Sequence, residues 1–437
     1  MRKSHKNLRI LFTSKSLSHF GGLYLLQQFF QRLKLRTSIS RAIRFPLRNT
    51  RYTISDSLLS LLYPLILGFN RIETTSLLKR NNVFHYVTGL STYPDPTTIR
   101  RFIKRFAEQN LNSFMRLHDQ LRTYFLKMSI APSSIIFDLD TTVLTVFGHQ
   151  EGAKIGFNPK KRGRPSYQPL LCFEGKTNDC WEGEFLSGNI HPASVAVSFL
   201  ERCFQKIPSF VREIRVCGDT AFYDHEIIEF IVSKRSHFAL AARITKPMQN
   251  ILRGLKYWKI SPRLSVAEFE YQPWRWKQSQ RFVVIRRPLP EEPSWQLSLF
   301  KMGDYTYRII VTNLPLEPLN LWRFYNRRST IELIIRQLIE AYALSKIPTK
   351  EFITNIGYFQ VVLFSYNLLN WFKRLCLPSE WQNLTLQTVR NRLLLIPAEF
   401  IRPEGTPTLK MPNSFPYQKE FLQTLKNIEH LKLNKIA

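Results

Sequence analysis

The chain has 437 residues, enough for roughly two to four domains, and its 44% hydrophobic content is that of an ordinary globular protein, not a disordered or fibrous one. It carries 63 Lys and Arg against 32 Asp and Glu, a net charge of +31, which points to nucleic acid or an anionic surface as the partner. Cys172, Cys180, Cys203, Cys217 and Cys376 are scattered with no C-x-x-C pair, which argues against a structural zinc site and a disulfide framework and fits a reducing cytoplasm.

Residues 1–130 hold 22 Lys and Arg but five Asp and Glu, and the first acid is Asp56. No apolar segment of signal-peptide length follows the basic N-terminus. Helical apolar spacing is read in Leu23–Phe30 and Ser57–Tyr63. Tyr93–Phe106 reads as a helix with Asp95 as N-cap and Pro96 at its first position. Ile99, Phe102, Ile103 and Phe106 make its apolar face, flanked by Arg100, Arg101, Lys104 and Arg105. Such a helix packs on one side and turns the other to phosphates, so 1–130 is expected to be an all-α, basic DNA-binding domain.

From about Pro132 the pattern becomes α/β. The stretch IIFDLDTTVL, Ile135–Leu144, places Asp138 and Asp140 in an apolar run that reads as a buried strand. The two share a strand face, and buried carboxylates are costly unless paired or bound to metal. Strands are predicted at 134–146, 167–174 and 183–190, a helix at 191–204, a strand at 213–217, a helix at 224–234 and a strand at 237–243. Between the first two strands, Lys160, Lys161, Arg162, Gly163, Arg164 and Pro165 resemble a minor-groove R-G-R-P hook, with simple phosphate contact as the other reading. Residues 246–315 read as a β-rich insertion with strands at 282–286 and 307–312; in it Trp274 and Trp276 are candidates for stacking a flipped base.

A single long helix is predicted from Leu319 to Ala343. Within it Tyr325, Arg328, Glu332 and Arg336 are spaced to share one face beside Ile331, Ile334 and Leu338. Residues 353–372 carry no charge, but Asn355, Gln360, Ser365, Asn367 and Asn370 interrupt them. A buried helix is therefore expected, with no membrane partner. A short helical tail, 376–437, closes the chain.

Four stretches together carry a resemblance. They are Phe137–Val143; Gln150–Ala153 with Gly156–Leu171; Gly218–Tyr223; and Y-x2-R-x3-E at Tyr325–Glu332, followed by Ala343–Pro348 and Tyr366–Arg374. In this order they resemble DDE transposases of bacterial insertion sequences, specifically the insertion sequence 1380 group (transposase DDE domain, group 1). The resemblance implies an RNase H-like mixed sheet core in two parts, 131–245 and 316–375, split by the insertion. It implies Asp140, Asp219 and Glu332 as catalytic, metal-binding acids, with Asp138 a near neighbour on the same face. Two Mg²⁺ or Mn²⁺ ions are the implied cofactors, with Asp140 shared between them. Double-stranded DNA (terminal inverted repeats and target) is the implied partner, with a homodimer holding two ends. Tyr325, Arg328 and Arg336 are implied DNA contacts. One departure stands out: the wider signature ends E-x6-K, and that position here is Ile339.

Two other readings stay open. IIFDLDTTVL also fits the first motif of haloacid dehalogenase-like phosphatases, with Asp138 as nucleophile, and Val216–Asp224 imitates their last motif. A catalytically silent DNA-binding protein derived from a transposase is the third.

Overall fold

The computed structural model describes residues 16–46, 51–128, 133–159, 161–289 and 300–433. The chain divides into two compact units. One takes in the residues up to Phe102 together with those from Trp371 onward, and the other spans Ile103–Asn370.

The first unit is built around the helix Ile54–Leu67, which buries every residue from Ser57 to Leu67. Thr53 and Asp56 start it with a reciprocal capping box. It ends at Gly68, whose φ of +91° suits glycine, and the buried Arg390 donates Nε to the terminal carbonyl of Ile66 at 2.8 Å. N- and C-terminal segments are interleaved in this unit: Leu17–Ser18, Ala398–Ile401 and Thr408–Lys410 form one small sheet. The helix predicted around Tyr93–Phe106 begins at Pro96 and runs to Met128. Ile99, Phe102, Ile103 and Phe106 are buried as the spacing predicts.

In the second unit the elements are β1 (Ser134–Thr141), β2 (Leu144–Thr145), β3 (Lys154–Ile155), β4 (Pro165–Tyr167), β5 (Leu170–Glu174), β6 (Cys180–Glu184), α1 (Pro192–Gln205), β7 (Glu213–Gly218), α2 (His225–Ser233) and β8 (His237–Ala241). α3 (Lys246–Gly254), β9 (Trp258–Ser261), β10 (Leu264–Tyr271), β11 (Gln280–Pro288), β12 (Phe300–Met302), β13 (Tyr305–Thr312), α4 (Pro318–Asn326), α5 (Ser329–Glu340) and α6 (Phe352–Cys376) follow. Strand β1 pairs antiparallel with β5 and β5 with β6; on its other side β1 runs parallel to β7, and β7 to β8. The order β6-β5-β1-β7-β8, with helical crossovers α1 and α2, is the RNase H-like arrangement. The β-rich insertion continues this same sheet: β13 pairs with β8 through Ile310–Ala241 and Thr312–Ala239, giving ten strands among the described residues.

Alternation along β1 divides its side chains between two cores. Ile135, Phe137 and Leu139 pack with Phe199, Leu200 and Ile228 of α1 and α2. Ile136 joins the opposite cluster, with Leu321, Trp322 and Tyr325 of α4. Asp138 and Asp140 therefore lie on the α4–α5 side of the sheet.

Several elements differ from their sequence-based bounds. The strand expected over 134–146 breaks into β1 and β2, and that over 167–174 into β4 and β5, because Pro169 interrupts the second and Thr142 N–H bonds its carbonyl at 3.1 Å. The third strand lies at 180–184, not 183–190. The single helix over 319–343 is two, α4 and α5, with Arg327 and Arg328 between them.

Helix α6, uncharged from 353 to 372, is long and apolar enough to cross a membrane by length and composition, yet 83% of its most apolar stretch is buried. Its polar residues serve the sheet. β6 is an edge strand, and Asn367 reproduces a missing neighbour: Oδ1 accepts from Cys180 N at 2.7 Å and Nδ2 donates to Cys180 O at 2.9 Å. Gln360 donates to Gly183 O at 2.7 Å, and Asn370 to Thr177 O at 2.9 Å and Asp179 at 2.7 Å. Burial pushes the His118 pKa down to about 3, so its neutral ring meets Asn367 at 2.6 Å.

Asn367→Leu leaves the Cys180 N–H and C=O without partners, and we expect it to cost about 2–4 kcal/mol. Urea unfolding reads this as a lower midpoint, and hydrogen exchange as faster loss of protection along β6.

Candidate active site

Asp140 stands at the C-terminal end of β1, and Asp219 follows the C-terminal end of its parallel neighbour β7. Glu332 lies in the first turn of α5. All three line one open cleft of about 750 Å³. This is the carboxyl end of parallel strands, where α/β sheets present ligand sites.

Each acid is fixed by local structure. Asp140 accepts from Thr141 N at 2.8 Å, and Arg328 Nη2 lies 3.4 Å from its other oxygen. Asp219 caps the short turn Thr220–Phe222 by accepting from Ala221 N at 3.0 Å. Tyr325 is buried and donates its hydroxyl to Gly218 O at 3.1 Å, holding the end of β7 next to Asp219. Burial raises the Tyr325 pKa to about 12, so it stays a donor. Arg328 is buried too, and donates to Leu139 O at 2.5 Å. Burial works against its charge, but Asp140 and the groups around it more than offset that, and its pKa is raised.

Asp138 has a different environment. It is fully buried, and Arg327 grips it through Nη1 at 3.0 Å and Nη2 at 3.2 Å while also donating to Gly175 O at 2.5 Å. Burial pushes its pKa up against the pull of Arg327 and Arg328. Two consecutive arginines at the α4–α5 joint thus hold the two alternate acids of β1. A carboxylate with no exposed surface, enclosed by a guanidinium, is not a nucleophile that a phosphate ester reaches, which counts against the phosphatase reading.

The cleft suits a hard divalent cation by donor chemistry. Burial raises the Asp140 pKa to about 6; Arg328 opposes this, while Asp219 and Glu332 add to it. That negative field is what a cation relieves. Among the described residues, however, no group of three or more His, Cys, Asp or Glu side chains is drawn together as a ligand set, and Arg328 stands at one oxygen of Asp140.

Tyr325, Arg328 and Arg336 line the cleft with the acids, as does Ile339 in the position where a Lys is usual. The remaining predicted contacts lie elsewhere. Arg100 pairs with Glu73 and Lys104 with Glu351; Arg101 is exposed, and Arg105 is half-buried. Lys161, Arg162 and Arg164 are exposed on the β3–β4 connection, and Lys160 lies outside the described residues. Trp276 packs on Tyr223 with centroids 5.2 Å apart, whereas Trp274 is 79% exposed beneath Arg275.

The cleft also contains Arg243 and Arg308, which sequence reasoning missed. The β8–β13 register, extended by Ala242 N to Ile309 O at 2.9 Å, brings them side by side. Nothing in either local sequence announces a pairing made across 65 residues.

Arg327→Met strands the Asp138 carboxylate, with an expected loss of about 3–5 kcal/mol. Adding Asp138→Asn recovers part of it in a double-mutant cycle of denaturation midpoints. For Asp140 the sign is opposite. Its folded pKa of about 6 lies above the unfolded value of roughly 3.9, so the folded state binds the proton more tightly and stability falls as pH rises between them. Asp140→Asn is expected to raise the Tm of metal-free protein at pH 7.5, with the advantage gone at pH 4; calorimetry at the two pH values checks it.

The family model for the transposase DDE domain group 1 matches residues 1–433. Among solved structures, the chain is similar to a piggyBac transposase determined as a synaptic complex with hairpin DNA, at a TM-score of 0.45 and 10% identity, covering 95% of this chain and 83% of that one. No curated protein matches. The chain belongs to the DDE transposases of domain group 1.

Proposed function

We propose that this transposase binds the terminal inverted repeats of an insertion sequence and catalyses divalent-metal-dependent strand cleavage and strand transfer into target DNA. The observation that carries the proposal is the convergence of Asp140, Asp219 and Glu332 on one cleft. Asp140, Asp219 and Glu332 are the residues that would hold the metal, Mg²⁺ or Mn²⁺. When bound, such ions stabilise charge on phosphoryl oxygens as Lewis acids. Two in-line displacements follow: water attacks phosphorus and a 3′-oxygen leaves, then that 3′-hydroxyl attacks a target phosphodiester. The second step conserves the number of phosphodiester bonds.

The chain's own residues orient these steps. Arg328 fixes the Asp140 carboxylate and partly offsets its charge, and Tyr325 steadies the β7 end that carries Asp219. Arg243, Arg308 and Arg336 supply positive charge to the DNA backbone on the same cleft. Arg336 is the cation nearest in sequence to Ile339 and takes part of the role of the absent Lys. A homodimer provides one cleft for each element end, and the protein works in the cytoplasm on nucleoid DNA.

Purified protein is expected to nick a duplex carrying the element's ends when Mg²⁺ or Mn²⁺ is added. Asp140→Asn, Asp219→Asn and Glu332→Gln are each expected to lose about a thousandfold or more in cleavage while still binding those ends, since each removes charge from the site of phosphoryl transfer. Full excision by Glu332→Gln would overturn the assignment. Arg243→Ala and Arg308→Ala are each expected to weaken end binding and lower its salt dependence by about one released counterion.

A further inference from the structure

The small three-stranded sheet that follows the catalytic strand has no part in the cleft chemistry. Its order is β2-β4-β3, with Ile155 opposite Pro165 and Val146 N bonded to Pro165 O at 2.9 Å. Phe147 and Phe157 lie beyond that row, toward the connection that carries Lys161–Arg164. Three large apolar side chains are exposed at this end, on or just beyond the two strands that flank β4: Phe147 at 73%, Ile155 at 63% and Phe157 at 72%.

The end is rigid. Asn158 ties it down, with Nδ2 donating to Thr145 Oγ1 at 3.0 Å and Oδ1 accepting from Lys161 N at 3.0 Å. Lys161–Arg164 closes a tight turn, with Arg164 N to Lys161 O at 3.2 Å and Gly163 at φ +74° in the third position. Gly156 is pressed so closely on Gly188 that a Cβ would stand 1.8 Å from its carbonyl oxygen, which locks β3 to the body of the unit. Basic side chains rim the apolar tip: Lys154, Lys161, Arg162 and Arg164 are exposed, with Arg164 over the Phe147 ring at 5.8 Å. The nearby acid, Glu151, is occupied, accepting from Phe352 N at 3.0 Å.

Exposed apolar side chains at strand ends beside a basic turn suit neither solvent nor simple phosphate contact. We propose that this tip is a minor-groove wedge: Arg162 and Arg164 enter the minor groove of duplex DNA, and Phe157 with Phe147 pry into a base step and bend the duplex. Positive charge selects DNA over an apolar protein surface as the occupant, and groove-entering arginines beside an apolar wedge are how proteins kink DNA from the minor groove. The proposal rests on the DNA-binding reading above but not on the catalytic one.

The test uses full-length protein without divalent metal, on a short terminal-repeat duplex carrying a donor and acceptor dye and an internal 2-aminopurine. Anisotropy reports binding, energy transfer reports bending, and 2-aminopurine brightening reports unstacking. Wild type is expected to bind, bend and unstack. Phe157→Ala, and more strongly Phe147→Ala with Phe157→Ala, keep affinity within about threefold but lose both signals, because the unstacking they drive is what the bend depends on. Arg162→Ala with Arg164→Ala loses about tenfold or more in affinity, most on A·T-rich duplex. An unchanged Tm verifies that these exposed positions leave the fold intact. Bending that persists in the double phenylalanine variant overturns the wedge alone. Loss of self-association in sedimentation with bending unchanged overturns it in favour of a contact between copies. Failure of wild type to bind the duplex overturns both the wedge and the end-binding reading.

Discussion

Two neighbouring arginines tie the joint between α4 and α5 to strand β1. Same-face residues on a strand are about 6.7 Å apart, whereas consecutive residues at a helix joint are about 3.8 Å apart. The long side chains of Arg327 and Arg328 span that difference and reach Asp138 and Asp140 separately. Successive residues of a helical turn point about 100° apart. Both arginines keep helical φ and ψ at the joint, so Arg327 reaches Asp138 and Arg328 reaches Asp140 from successive positions of the turn, and α5 then brings Glu332 to the cleft. Asp138 thereby gains a role that its neighbourhood in the sequence did not suggest: it anchors the helix pair that supplies the third acid.

The rest of the unit supports that arrangement at the two sides of the sheet. At one edge, α6 supplies Asn367, Gln360 and Asn370 in place of a further strand, so the meander that includes β1 has its outer backbone groups satisfied. At the other, the insertion carries the ladder onward from β8, so that Arg243 and Arg308 arrive at the cleft by strand pairing. Asp140 and Asp219 come from the central parallel strands, and Glu332 from α5. The cations that face them come from the helix joint and α5 (Arg328, Arg336), from just past the end of core strand β8 (Arg243) and from β13 of the insertion (Arg308).

Much of this was legible in the sequence where the signal is local. The apolar run around Asp138 and Asp140, the alternation of strand and helix to residue 243, and the helical face through Ile99 and Phe106 all follow from periodicity. Tyr325, Arg328, Glu332 and Arg336 line one cleft as their spacing anticipated, although across a joint and not along a continuous helix. The break at Arg327–Arg328 was illegible because both residues are good helix formers and keep helical φ and ψ there; only the hydrogen-bond ladder tightens, with Arg328 N on Tyr325 O at 3.0 Å. The polar interruptions in α6 were visible, but their purpose depends on which strand forms the sheet edge. Arg243 and Arg308 were invisible for the same reason: their proximity is a property of register, and register is decided by long-range pairing.

The account's central claim is that Asp140, Asp219 and Glu332 form one cation-binding cleft, and anomalous diffraction from crystals soaked in Mn²⁺ tests it most directly. The account predicts an anomalous peak among these three carboxylates that vanishes in the Asp140→Asn protein. Manganese bound only at other sites, or a peak beside Asp138 with Glu332 uninvolved, would contradict it.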